Sequence, residues 1–278
     1  MIKSRFSIKK VFVYILLIFG TFCSLFPFYW MIKSSLIGLA DIFQMPPKIL
    51  PTKVHLSNYV TALSQYPFHK FFWNSCIITG LTVLGAVITS SMCAFAFSRL
   101  EWKWRDQIFY LILSGLMLPF FVVMIPQFMG WNALGQIDSF IPLIAPAWFG
   151  GGVFNIFLLR QFFLGVPKEL DEAARVDGAS YFRIYWQIIM PLSKQALIVV
   201  GLLTYLVSWN DYLAPMIYLS SQENYTLMLG LNLFLGSYSA QWNYMMAATS
   251  IIVIPSLIIF LFAQKHFIEG ISMSGLKG

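Results

Sequence analysis

Six stretches of about twenty or more mostly apolar residues, at 11–32, 71–98, 107–130, 139–160, 196–219 and 243–264, constrain what this chain can fold into. The hydrocarbon core of a bilayer is about 30 Å thick, and a helix rising about 1.5 Å per residue needs about 20 apolar residues to cross it. Inside that core each backbone polar group must be satisfied within the protein, which selects helices. The chain is therefore expected to be an all-α integral membrane protein of six transmembrane helices, with a tail at 1–10, a membrane domain at 11–264 and a second tail at 265–278. Composition agrees. Charged residues make up 10% of the chain, whereas a soluble domain carries about 25%.

The net charge of +7 raises nucleic acid as a partner. The basic residues lie in short gaps between apolar runs rather than on one stripe, so no nucleic-acid partner is expected. Cys23, Cys76 and Cys93 all sit inside apolar runs, with neither metal-ligand spacing nor a disulfide framework. The first run is longer than the apolar core of a signal peptide and lacks a small-residue cleavage site, so it reads as an uncleaved first helix. The second run is long enough to tilt or to begin outside the bilayer. Every other run contains proline (Pro27, Pro119, Pro126, Pro142, Pro146, Pro215, Pro255), which predicts kinks or span ends.

Lys and Arg accumulate in cytoplasmic loops. With the N-terminus inside, the cytoplasmic side takes Lys3, Arg5, Lys9 and Lys10, then Arg99, Lys103 and Arg105. It also takes Arg160, Lys168, Arg175, Arg183 and Lys194, and finally Lys265 and Lys277. Fourteen of the eighteen are thus inside, and both termini are expected there. Lys33, Lys48, Lys53 and Lys70 fall in the first outer loop; the later outer gaps, near 131–138 and 220–242, hold none. Within that first loop Ser57 can cap a short interfacial helix through Asn58, Tyr59 and Leu63 that stops before Pro67.

The gap between the fourth and fifth runs is longer than a turn requires and strongly patterned. Pro167 suits a first helical position. Glu169, Asp171 and Glu172 then crowd a first turn, with Arg175 at the far end, as the helix dipole favours. Leu170, Ala173, Ala174 and Asp177 follow helical spacing, and Gly178 offers the left-handed conformation that ends a helix. Ser180 can cap a second short helix with apolar positions at Phe182, Tyr185, Ile188 and Ile189. The physics leaves two readings open: an amphipathic elbow lying on the inner face of the bilayer, or a docking element.

The run Glu172-Ala173-Ala174, three residues, Gly178, nine residues, Ile188, one residue, Met190-Pro191 resembles the EAA loop of binding-protein-dependent ABC transporter permeases, with Met190 in place of the usual leucine. Ser208-Trp209-Asn210-Asp211-Tyr212 and the ending Gly270 to Gly278 are similar to the sugar-importer branch, the six-span maltose-type permease subunit. The resemblance implies a cytoplasmic coupling helix between helices 4 and 5 that enters a cleft on an ATP-hydrolysing subunit. It implies polar contacts by Glu172 and Asp177, close packing by Ala173 and Ala174, and a turn at Gly178. It also implies a tail, Gly275, Lys277 and Gly278, that contacts the ATPases; the alternative is a frayed terminus. The implied partners are a second homologous permease subunit, two ATP-hydrolysing subunits, an extracytoplasmic sugar-binding protein and the lipid bilayer of a prokaryotic cytoplasmic membrane. The chain has no G-x-x-x-x-G-K-[ST] phosphate loop. ATP and Mg are therefore expected on the partner ATPases, with no cofactor, metal or catalytic residue on this chain, which is not expected to be an enzyme.

Asp211 is the one carboxylate inside a predicted span. An intramembrane charge is costly and suggests function. Counted from Leu197, it lies about 21 Å into a core of about 30 Å, toward the outer side. Asn210 and Asp211 are suited to sugar hydroxyls, and Tyr205, Trp209 and Tyr212 form a stripe able to stack on a sugar face. The stripe equally suits helix packing, and Asp211 equally suits a backbone group freed near Pro215 or a residue of the partner permease. Ser75, Thr79, Thr82, Thr89, Ser90 and Ser91 in the second run suit a polar path or, preferably, hydrogen bonds between helices. A membrane enzyme would need more polar groups at depth, and a stand-alone secondary transporter would need internal repeats and more buried charges. Oligosaccharides and glycerol-phosphate-type solutes are both compatible with the resemblance.

Overall fold

A computed structural model describes residues 8–51, 53–236 and 240–275, with side chains for 9–264 of these. Along the chain run α1 (Ile8–Ser35), α2 (Ser57–Gln65), α3 (Phe68–Arg99), α4 (Arg105–Ser114) and α5 (Phe120–Ala133). There follow α6 (Ile141–Trp148), α7 (Val153–Leu164), α8 (Glu169–Val176) and α9 (Tyr181–Ile184). The last are α10 (Lys194–Trp209), α11 (Leu213–Tyr218), α12 (Leu227–Leu231) and α13 (Trp242–Gly275). The described residues form no sheet, only an isolated bridge between Leu235 and Ala240.

Among the described residues, four helical stretches are long and apolar enough to cross a membrane: Lys9–Ser35, Phe68–Arg99, Ile141–Leu164 and Trp242–Gln264. They coincide with the first, second, fourth and sixth expected spans. The expected third and fifth spans, 107–130 and 196–219, are not single helices. The third breaks at Leu118-Pro119 and bends by 99°. Pro119 cannot donate a helical hydrogen bond, and its ring pushes Leu118 to an extended ψ of 115°. In the fifth, α10 meets the Tyr181–Leu192 segment at 79° and stops at Trp209, and α11 begins only at Leu213.

The fourth span is also interrupted. Gly150, Gly151 and Gly152 all have positive φ (99°, 70° and 93°). This irregular backbone lies directly against α3: a Cβ on Gly151 would sit 2.4 Å from the Ala86 carbonyl and 2.8 Å from Ser90 N. The carbonyls freed by the break find side chains. Thr89 Oγ1 donates to Ala147 O at 2.9 Å, and Asn155 Nδ2 donates to Gly151 O at 2.7 Å. This is how a membrane helix tolerates a break.

The chain divides into two compact units. One comprises residues up to Pro67 together with Leu231–Ile254. In it Asn58, buried on α2, donates to Ser35 O and Ile37 O at 2.9 and 3.0 Å, and Tyr59 OH meets Ser35 Oγ and Ser250 Oγ. The expected short helix is present, but Ser57 is its first residue and makes no cap bond.

In the other unit α3 packs along α6, α7 and α10. The hydroxyls of α3 serve as bonds between elements: Ser75 accepts from Leu227 N, Thr79 from Ser208, and Ser91 pairs with Tyr185 OH. At the Arg99 end of α3 lies a core of Ala94, Phe95, Leu159, Phe163, Ile184, Tyr185, Ile189, Ala196 and Val200. At the other end Asp138 holds the loop after α11: its carboxylate accepts from Ser220 N and Ser221 N, 2.9 Å each, and from Ser221 Oγ. Those donors hold the Asp138 carboxyl well below the usual carboxylate range.

Candidate functional site

The 167–191 segment folds as a helix, a turn and a second, irregular helix. α8 starts at Glu169 after Lys168, so Pro167 precedes the helix by two residues instead of opening it. Its acidic first turn and basic last turn match the dipole. Its end is a Schellman motif: Gly178 N–H bonds Arg175 O at 3.0 Å, and Ala179 N–H bonds Ala174 O at 2.9 Å. Gly178 takes φ +81°, the left-handed conformation that this motif needs. Ser180 then caps the second helix, accepting from Arg183 N at 3.3 Å.

That second helix widens into a π turn at Tyr185–Ile189, just before Pro191, which has no N–H to offer the preceding turn. The widening rotates the buried face. Ile184, Tyr185 and Ile189 are buried, while Phe182, another of the helix's apolar positions, is 69% exposed.

Two faces of α8 now separate. Ala174 packs with Ala179 against the core around Phe163 and Ile189. Glu172, Ala173, Val176 and Asp177, related by steps of four, are exposed, as is Gly178. Val176, not singled out by the sequence, is 88% exposed, an apolar patch between two carboxylates. Such a face is suited to docking: apolar centre, acidic rim.

A second feature is a buried ion pair behind α8. Arg99 Nη1 donates to Asp171 Oδ2 at 3.1 Å, with the two side chains 2% and 16% exposed. Arg99 Nη2 donates to Phe163 O, in the last turn of α7, and to Val166 O just beyond its end. Burial pushes the Asp171 carboxyl up, and the Arg99 guanidinium pulls against it. The pair borders a cleft of about 200 Å³ that also meets Lys168, Glu172, Arg175 and Tyr181. Sequence reading used Arg99 only as a positive charge and Asp171 only as a dipole partner.

At the fifth span, Tyr205 and Trp209 stack at 5.6 Å and 21° and line an apolar groove of about 450 Å³ with Phe72, Thr79 and Gly201. Both rings are nearly buried, and Tyr205 OH reaches Ser256 Oγ at 3.2 Å. Tyr212 does not continue their stripe, because α10 ends at Trp209. Asn210 Nδ2 donates back to Leu206 O at 2.7 Å, and Asp211 Oδ1 accepts from Ala214 N at 3.2 Å. Asp211 thus serves the backbone near Pro215, one of the roles its position allowed. Gly275 is the last residue of α13; Lys277 and Gly278 lie outside the described residues.

The family of binding-protein-dependent transport system inner membrane components matches this chain over residues 85–273, which include the whole 167–191 segment. The arabinooligosaccharides transport system permease protein AraQ of Bacillus subtilis is 31% identical over 277 residues, covering 99% of this chain and 98% of its own. The sn-glycerol-3-phosphate transport system permease protein UgpE of Yersinia enterocolitica is 31% identical over 280 residues, 98% of each chain. Among solved structures, a chain of a bacterial ABC transporter involved in the import of the acidic polysaccharide alginate shares the fold. It superposes with a TM-score of 0.83 at 24% identity, over 96% of this chain and 99% of that one. The membrane helices, the EAA-type segment and these similarities agree: the chain belongs to the family of binding-protein-dependent ABC transporter permeases.

Proposed function

We propose that this permease subunit moves a sugar, an oligosaccharide by preference, into the cell, driven by ATP hydrolysis on two partner subunits that grip the 167–191 segment. The observation that carries the coupling role is the exposed Glu172–Gly178 face of α8, presented on a helix closed by a Schellman motif and packed through Ala174. In this reading the 167–191 segment and both tails, 1–10 and 265–278, lie in the cytoplasm. The bent third span, α4 with α5, and the interrupted fifth, α10 with α11, complete six spans. A second homologous permease completes the pore, and a binding protein delivers substrate from outside. Glu172 and Asp177 meet polar groups of the ATPase, Ala173 and Val176 its apolar floor, and Gly275, Lys277 and Gly278 reach between the ATPases, which hold ATP and Mg.

Tyr205, Trp209, Asn210, Asp211 and Tyr212 are this chain's contribution to the substrate path. Their support is the helix break itself, since irregular backbone at depth belongs in protein or beside a water-filled cavity. AraQ favours an oligosaccharide, and UgpE favours a phosphate ester as the second reading. Binding of the cognate binding protein to a panel of oligosaccharides and glycerol phosphate separates the two.

The coupling role is tested by Glu172→Lys in the reconstituted complex. The variant reaches the membrane normally, because Glu172 is exposed. Its binding-protein-stimulated ATP hydrolysis is expected to fall by about tenfold or more, as for truncating a charge at a docked interface. Wild-type hydrolysis would count heavily against the reading.

A further inference from the structure

The geometry points to Arg99 as the positioning residue that makes the 167–191 lever rigid, an inference that rests on the coupling role proposed above. A lever transmits motion only where its joints are stiff. The far end of the segment is stiff: Tyr185 and Ile189 are buried in the core, together with Ala196 and Val200 of α10 across the 79° bend. The near end is not. Between Leu164 and Glu169 the chain has no continuous helix, and a push on α8 would be absorbed there.

Arg99 spans that joint. Its Nη2 bonds Phe163 O before the joint and Val166 O within it, and its Nη1 bonds Asp171 beyond it. Because Arg99 is the last residue of α3, the same side chain ties α8 to the helix along which α6, α7 and α10 pack. A guanidinium suits this task. It stays charged and offers five donors in a planar fork, whereas a lysine ammonium is a point charge that cannot hold the same planar set of partners. Arg99 Nε and Asp171 Oδ1 are buried without a hydrogen-bond partner, so one N–H···O contact holds the charges together instead of a fork.

The test uses the whole complex in vesicles: both permeases, the ATPases and the binding protein. Variants are Arg99→Lys, which keeps the charge and loses the fork, and Asp171→Asn, which keeps the shape and both carbonyl bonds of Arg99. Two quantities are read: ATPase subunits retained on purification, and substrate imported per ATP hydrolysed. Both variants are expected to retain the ATPases while import per ATP falls by about fivefold or more, the lower range of site-to-site coupling. Wild-type import per ATP in either variant overturns the inference. So does loss of assembly in Asp171→Asn, which would make the pair a staple of the fold and nothing more. Gly178→Val run alongside separates the two failures. If it is fully coupled, the coupling role itself fails; if it is impaired while Arg99→Lys and Asp171→Asn are normal, only the role of Arg99 fails.

Discussion

Substitution at Gly178 isolates one physical quantity, the conformational cost of a left-handed turn. Its φ is +81°, and a Cβ added there would meet nothing within 4 Å. Steric overlap with neighbours therefore contributes nothing, and the whole cost is backbone strain. For an ordinary L residue in this region the cost is roughly 1–2 kcal/mol, while Asn visits it more readily and β-branched residues fare worst. The expected costs are thus below about 1 kcal/mol for Gly178→Asn, about 1 kcal/mol for Gly178→Ala and about 2 kcal/mol or more for Gly178→Val. Strain of that size does not unfold the membrane helices. It opens the bonds from Gly178 N–H to Arg175 O and from Ala179 N–H to Ala174 O, and loosens the end of α8 whose exposed face is proposed to dock. In the reconstituted complex, binding-protein-stimulated ATP hydrolysis should fall in the order Gly, Asn, Ala, Val, with the membrane level of permease unchanged. Full activity for Gly178→Val would refute the reasoning, as would Asn proving as damaging as Val.

Other positions make contrasting predictions. Gly151→Ala combines positive φ with a Cβ 2.4 Å from Ala86 O, so left-handed strain and overpacking together should cost on the order of 2–5 kcal/mol. Thermal unfolding of the purified complex should show it as a clear loss, and a wild-type melt would argue against the close passage of 150–152 over α3. Asp211→Asn keeps an acceptor for Ala214 N and should leave the melt unchanged, whereas Asp211→Ala should cost about 1 kcal/mol. If Asp211 also touches substrate, Asp211→Asn raises the concentration for half-maximal uptake. Unchanged uptake at every concentration would leave Asp211 a cap alone.

Legibility in the sequence follows the range of the interactions concerned. The Schellman turn at Gly178 and the cap at Ser180 are made by residues within five positions of each other, and both were readable. The Arg99–Asp171 pair joins residues 72 apart, and no local pattern announces it. Proline marked the third and fifth spans for kinking, yet whether a helix kinks or stops depends on which neighbours satisfy its freed carbonyls. At Asn210 a side chain does so, its Nδ2 donating to Leu206 O; at Leu118-Pro119 the chain turns instead. The three glycines at 150–152 passed as span residues because a mean over twenty apolar positions hides three consecutive left-handed ones. The exposed face proposed for docking was legible from Glu172 to Gly178; the Arg99–Asp171 pair behind it was not.

The exposed face of α8 is proposed to lie inside the cell against the ATPase. A single cysteine at Ala173, with Cys23, Cys76 and Cys93 replaced, measures both properties through a membrane-impermeant thiol reagent. Labelling is expected only in inverted vesicles stripped of ATPase, and to disappear when the ATPase is added back. Labelling of intact cells from outside, or an unchanged rate with the ATPase bound, would contradict it.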